Sequence, residues 1–449
     1  MNILLTTHNY YPYNFGGTEV YVSNLALFLK NRGDQVQIIA SVPDLAFEKN
    51  PTVYEDENLK VCTYIHEDIN VLGVQYKFID TTQIYSRQSY AHEKSWTAYL
   101  NKNKHLKNLD ILHINGFTPT IGLDLIRAIH AVNKNLKIVT SYHTPISCAK
   151  ENLMFANTAQ EQIDCVDEIA DMYSYRLDIS YNKAKILSRL IPSFYIKYLP
   201  ALFNLKYLTK SNIKSFKSLV SLTDEWWVYS NGIKNHLVKK NVSSEKIVAE
   251  RHGISPLFIN NDRISSSQNI FFFSGRMIKI KGIVTLLKAW MSLQVNPNRE
   301  LWIASEPHSD VKKINDLISE AAQRKDIKWL GQLSQQEIAF CYSEASTVII
   351  PSETYEIGPL VFHEAIASGC RVICSDIGGC KELSEHYQHD STTFKTGNPE
   401  DLKYKIIELS SSPSKVGLRT KVLSFNEHFN NILHKSRVYE KQDYFSTYI

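Results

Sequence analysis

The chain has no Cys-x-x-Cys pair, no Asp-x-Asp, no Gly-x-Gly-x-x-Gly and no unbroken apolar run approaching the roughly 20 residues a membrane-spanning helix needs. Each absence excludes something. Without a long apolar run the protein is expected to be soluble or peripheral. Seven cysteines, an odd number with no Cys-x-x-Cys pair, point to free thiols in a reducing compartment, the cytoplasm, and Cys148 and Cys165 alone are too few for a four-ligand zinc site. Without the glycine fingerprint after a strand, a dehydrogenase is disfavoured. Closely spaced aspartates are a common way to hold a hard divalent cation, so no metal is expected. The formal net charge of +4 is too small to argue for nucleic acid. Met1-Asn2-Ile3-Leu4-Leu5 opens a strand directly, with no basic region or long apolar segment ahead of it, so no signal peptide is expected.

What is present is an ordinary globular composition, 43% hydrophobic and 21% charged, over 449 residues. That length is too great for one core, and two large domains fit it. Strand-like runs at Asn2–Thr6, Val36–Ala40, Ile111–Asn115 and Lys137–Tyr142 alternate with helical patterns at Thr18–Asn31 and Thr120–Val132. This alternation predicts α/β architecture with a parallel sheet. Gly16-Gly17 falls at the first strand-to-helix crossover, where glycine serves a sharp turn or a close approach of ligand to backbone. His143 ends a strand, where a histidine is either a satisfied structural residue or a ligand contact.

The most informative stretch runs from Val348 to Gly369. A β-branched run gives way to a polar loop, Pro359 sits where a first helical turn tolerates it, and Gly369 closes the helix. In an open parallel sheet, ligands gather at the carboxyl ends of strands, which places Glu356 in the loop and Glu364 on the helix at a candidate site. Glu364 suits a vicinal diol, and the amides of Gly358, Leu360 and Val361 suit an anion. Spacing alone is equally met by two solvated acids, which the helix dipole favours in any case. A second strand, Asn269–Gly275, is followed by Arg276 and Lys281 before another helix. A guanidinium fork and an ammonium at a helix mouth suit a diphosphate, although a solvated pair has the same pattern.

Taken together these stretches resemble glycosyltransferase family 4, retaining nucleotide-sugar transferases of the GT-B architecture. The resemblance rests on Gly275-Arg276 with Lys281, Pro351-Ser352 with Glu356 and Glu364, Ala365 to Gly369, Ser375 to Gly379 with Glu382, and Lys395 to Leu402. Ile357 and Pro359 replace a commoner Gly-Phe-Gly-Leu pattern, and Ser305-Glu306-Pro307 stands where a glycine-rich turn is usual. The resemblance implies two facing Rossmann-like domains with parallel sheets and a cleft between them. It implies an acceptor domain at 1–262, a donor domain at 263–420 and a tail at 421–449 that crosses back to the first domain. Arg276, Lys281 and the helix amides would stabilise the leaving diphosphate. Glu364 would hold the ribose, Glu356 and His143 the transferred sugar, and Gly16 and Gly17 would line the opposite wall. No cofactor is implied, because the nucleoside diphosphate sugar is itself a substrate. The acceptor would be a glycan, a lipid-linked glycan or a small molecule. The alternative is a non-catalytic nucleotide-sugar-binding or membrane-associated scaffold of the same fold.

Between 148 and 221 the strand–helix alternation is lost, and Asn260–Gln268 is a polar, aperiodic linker. From Tyr181 to Thr223 there is no acid, while Lys183, Lys185, Arg189, Lys197, Lys206, Lys210, Lys214 and Lys217 interleave with leucines and aromatics. That mixture suits the anionic inner face of a membrane, or an insert packed on its own domain with its lysines in water.

Overall fold

A computed structural model describes residues 1–14, 16–147, 165–177, 179–197, 199–200, 203–259, 269–411 and 420–439. The expected linker at 260–268 and Cys148 lie outside them. The chain forms two compact units, the first comprising Met1–Tyr229, Ile233–Glu250 and Phe429–Ile449, the second Ser230–Gly232 and Arg251–His428. Arg251–Ile259 therefore goes with the second unit, ahead of the boundary expected at 262. The reason is local: Ile254 bridges to Ser424, and Phe258 is buried among Phe272, Tyr342 and Phe362.

The first unit is built on β1 (Asn2–Thr7), β2 (Gln35–Ser41), β3 (Thr52–Glu55), β4 (Leu59–His66), β5 (Ile69–Tyr76), β6 (Ile111–Ile114), β7 (Lys137–Ser141), β8 (Glu225–Val228) and β9 (Ile247–Ala249). Their order is β3-β4-β5-β2-β1-β6-β7-β8-β9. From β5 to β9 the sheet is parallel, as expected, and β3 and β4 extend its β5 edge antiparallel. The β4–β5 turn explains why: Glu67 (φ 48°) and Asp68 (φ 59°) both take left-handed backbone, as a two-residue hairpin requires, without the Asn-Gly signature that would reveal it. The helix Gly17–Asn31 buries Tyr21, Val22, Leu25, Ala26 and Leu29 in one stripe, as its spacing dictates.

The described residues of the stretch whose alternation is lost include the helices Cys165–Leu177, Tyr181–Leu190 and Leu205–Leu222, with turns between the last two. Ile169, Met172, Tyr173, Ala184, Leu205 and Leu208 form a satellite core with Tyr85, so these helices pack on their own unit.

The second unit carries β10 (Asn269–Ser274), β11 (Arg299–Ala304), β12 (Ile327–Trp329), β13 (Thr347–Ile350), β14 (Arg371–Ser375) and β15 (Ser391–Phe394). All pair parallel, in the order β12-β11-β10-β13-β14-β15. Both faces are covered, so the period of two divides each strand between two cores. Phe271, Phe273 and Ile349 pack with Leu286 and Trp290, while Phe272, Val348 and Ile350 pack with Phe362 and Ile366. Each such side chain contributes about 1.5–3 kcal/mol on burial. The strand order reverses between β10 and β13, which makes the loops after these two strands the crevice of the unit.

Candidate active site

The loop Pro351–Pro359 follows β13 and is gripped by backbone from both sides. Glu353 N donates to Ile280 O at 2.9 Å, and Gly379 N donates to Glu356 O at 2.6 Å. Gly282 caps the helix Ile283–Met291 in left-handed conformation (φ 74°), and a Cβ there would lie 1.8 Å from the Pro351 carbonyl oxygen. Only glycine lets the β10 and β13 loops come this close.

This approach brings the expected cations to the expected acid. Lys281 Nζ and Ser352 Oγ each donate to Glu356 Oε1 at 2.7 Å, so the other oxygen keeps its acceptor capacity. Burial pushes the Glu356 carboxyl up, but the Lys281 charge and hydrogen bond, the Ser352 hydroxyl and the Arg276 charge outweigh it and hold the group below the ordinary carboxylate value. Glu356 is thus a fixed anion, and Arg276 remains exposed beside it. Lys281 does not stand alone at the helix mouth: its partner is Glu356.

Pro359 (φ −66°) is the N-cap of the helix Leu360–Ala367, one position before the first turn. Leu360 and Val361 open that helix, and first-turn amides have no intrahelical acceptor, so with Gly358 they present donors at the positive end of the dipole. Glu364, one turn on, is not a surface acid. It is 9% exposed and accepts a hydrogen bond from Tyr342 Oη at 3.3 Å. Burial raises its carboxyl to about 7, against the opposing Tyr342 hydrogen bond. A third acid, Glu353, accepts from Thr285 Oγ1 at 2.7 Å and is raised by burial despite that bond and the charges of Lys279 and Lys288.

In the first unit the order reverses between β1 and β6, and the loops after β1, β6 and β7 carry the polar residues. Gly16 and Gly17 are exposed at the start of their helix. The Gly16 amide donates to Glu19 Oε2 at 2.8 Å, and Thr7 Oγ1 donates to Glu19 Oε1 at 3.2 Å, so Glu19 fixes this turn. His143 is half-buried, with Nε2 3.1 Å from Asn115 Oδ1, its ring stacked on Tyr229 and edge-on to Tyr21. Tyr21 thus joins the helix opened by Gly17 to the end of β7.

The structure therefore gathers Arg276, Lys281 and Glu356 in one crevice of the second unit, and places His143 near the helix that Gly16 and Gly17 open in the first. Tyr342, Thr285 and Glu19 escaped the sequence reading. Glu19 alone had a local signal, an acid three residues into a helix that follows a glycine N-cap.

Two Rossmann-like units with polar loop clusters at their switch points define the GT-B class of folds. Solved structures agree: sucrose-phosphate synthase from Thermosynechococcus elongatus matches with a TM-score of 0.59 at 16% identity, over 97% of this chain and 94% of that one. HepE of Anabaena in complex with UDP and glucose matches at 0.54 and 14%, over 98% and 95%. The family model for Glycosyltransferase Family 4 matches residues 15–256, and that for Glycosyl transferases group 1 matches residues 256–422. The chain belongs to glycosyltransferase family 4, and it is a glycosyltransferase. An uncharacterized glycosyltransferase of Methanocaldococcus jannaschii is 23% identical over 90% of this chain and 88% of its own length. A lipopolysaccharide 1,2-N-acetylglucosaminetransferase of Salmonella typhimurium is 29% identical over 27% of this chain and 33% of its own.

Proposed function

We propose that the protein moves a sugar from a nucleoside diphosphate sugar to an acceptor hydroxyl with retention of configuration and without a metal ion, acting in the cytoplasm. The observation that carries this reading is the convergence of Lys281 and Ser352 on Glu356 beside Arg276, at the mouth of the helix that bears Glu364. An anion held at that mouth meets two cations and a set of amides. A sugar beside it meets the remaining oxygen of Glu356, and a ribose meets Glu364.

As the bond from the sugar to the diphosphate breaks, negative charge develops on the leaving oxygens. Arg276, Lys281 and the amides of Gly358, Leu360 and Val361 would stabilise that charge without reorganisation. Glu356 would orient the sugar while the acceptor oxygen bonds to its anomeric carbon and gives up its proton to the leaving phosphate oxygen. His143 would contact the transferred sugar, and Gly16 and Gly17 would serve the acceptor side. The buried free thiols Cys62, Cys341, Cys370, Cys374 and Cys380 suit a reducing compartment.

Because HepE was solved with UDP and with UDP-glucose, uridine donors come first in the test. Nucleotide release should be measured from a panel of uridine, adenosine and guanosine diphosphate sugars, with and without glycan and lipid-linked acceptors. Release that requires one donor and one acceptor, with the product anomer matching the donor, supports the reading. Tight nucleotide-sugar binding with no turnover on any acceptor would favour a scaffold of the same fold.

A further inference from the structure

The helix Tyr181–Leu190 turns its apolar side the wrong way for a surface helix. Ala184 and Ser188, four residues apart, are the side chains it buries. Ile186 and Leu190, also four apart and therefore on one face, stand in solvent, Leu190 at 76% exposure. The exposure continues beyond the helix in Phe194, at 61%, and in Phe203. Eight of the twenty-two large apolar side chains left exposed among the described residues fall between Ile186 and Tyr207. Beyond this helix, Asn204 bonds the backbone of Ile196 and Leu199 through its side-chain amide, and the Tyr195 ring packs against Tyr207 at 5.6 Å. An apolar ridge of this kind marks a surface that something covers.

Charge decides what covers it. No acid occurs between Tyr181 and Thr223, and Lys183, Arg189, Lys210, Lys214 and Lys217 are all exposed. A second copy meeting this face by a two-fold axis would set cations against cations. An anionic lipid surface complements both features at once, and no described helix is long and apolar enough to cross a membrane. We propose that this face of the first unit docks on an anionic bilayer, with Ile186, Leu190, Phe194 and Phe203 entering the boundary between headgroups and acyl chains while the cations meet the headgroups. The proposal stands apart from the transfer reaction, since docking requires neither donor nor turnover.

The test uses the full chain and sedimentation with vesicles of phosphatidylcholine alone or with phosphatidylglycerol. Binding is expected only to the anionic vesicles, with release at high salt, because such attraction is screened within about 10 Å at 0.1 M salt. Each cation at such a surface is worth roughly fivefold in partition, so the double reversal Lys183→Glu and Arg189→Glu should lower binding at least about 25-fold. Leu190→Ser with Phe194→Ser should also abolish binding with Tm and donor turnover unchanged, because both side chains are exposed and outside the candidate site. Three results would overturn the proposal: equal binding to neutral and anionic vesicles, binding to neither, or a dimer in sedimentation velocity that the Leu190→Ser, Phe194→Ser variant dissolves. The last would give the face to a second copy of the chain.

Discussion

Lys281 donates to Glu356 across 75 positions of sequence, at 2.7 Å, and so ties the loop after β10 to the loop after β13. The ammonium is 30% exposed and the carboxylate 17%, so water still screens the pair and its loss should cost stability no more than about 1 kcal/mol. Its catalytic weight is expected to be far larger. Glu356→Gln should keep Tm within a few degrees while kcat falls by roughly 10²-fold, which steady-state kinetics beside a thermal melt will read. Wild-type kcat in that variant would remove Glu356 from the reaction.

Glu364 should make donor affinity depend on pH near neutrality. The unfolded carboxyl titrates near 4.5 and the folded one at about 7, so between these values the folded chain holds a proton that the unfolded chain has released. The stability this gives is fully present below 4.5 and is lost as pH rises through 7. If Glu364 holds the ribose as proposed, it does so as the ionised acceptor, so donor KM should fall as pH passes 7. Glu364→Gln should flatten that profile, raise KM about 10-fold at pH 8 and gain stability on the order of 3 kcal/mol there. A KM profile unchanged by the substitution would separate Glu364 from the donor.

Turnover should survive chelation. On the proposed reading the cationic role at the diphosphate falls to Arg276 and Lys281, and the chain offers no Asp-x-Asp to hold a divalent ion in their place. Excess EDTA is expected to leave the rate nearly intact, whereas Arg276→Ala combined with Lys281→Ala should abolish it. Activity lost to EDTA and restored by magnesium or manganese would defeat this mechanism.

Gly282→Ala should damage both folding and the site. The substitution asks for a left-handed alanine and drives a methyl into the Pro351 carbonyl, so either the helix start or the Pro351–Pro359 loop must move. A loss of about 3 kcal/mol or more is expected in denaturant melts, with a raised donor KM in whatever remains folded. A variant as stable as the parent would show that the two loops are not held in contact in solution.

His363 should make the second unit acid-sensitive. Both of its ring nitrogens are buried without a hydrogen-bond partner, and its ring packs edge-on to Tyr387. Burial, then the charges of Arg251, His428 and His386, lower it to about 3 from 6.5. The unfolded chain therefore takes a proton that the folded chain refuses. Stability is fully present above 6.5 and declines as pH falls toward 3, by about 2 kcal/mol at pH 5 from this group. Denaturation of His363→Leu from pH 7 to 5 should show a shallower loss than the parent. An identical slope would assign the acid limb to other groups.

Much of this molecule is legible in its sequence. Val348–Ile350 as a strand and Leu360–Ala367 as a helix follow from local signals, a β-branched run and a proline and glycine at the two ends. The alternation of such units implied two parallel-sheet domains, whereas the spacing of Arg276, Lys281, Glu356 and Glu364 was equally that of solvated charges, and only the family resemblance singled out the loops after β10 and β13.

What the sequence could not determine was whatever depends on partners distant along the chain. That Lys281 spends its charge on Glu356, that Glu364 is buried with its carboxyl raised and accepts a hydrogen bond from Tyr342, and that Thr285 holds Glu353 are consequences of packing between elements 22 to 75 residues apart. The β4–β5 hairpin stayed hidden because Glu67 and Asp68 take a turn conformation their identities do not announce. The helix Tyr181–Leu190 shows the same limit: its sequence suits a membrane-facing or a packed helix alike, and only the tertiary structure, by giving the buried side to Ala184 and Ser188, leaves Ile186 and Leu190 facing outward. Propensity and periodicity act over a few residues, whereas burial, which sets both a carboxyl's pKa and a leucine's exposure, is a property of everything that folds around it.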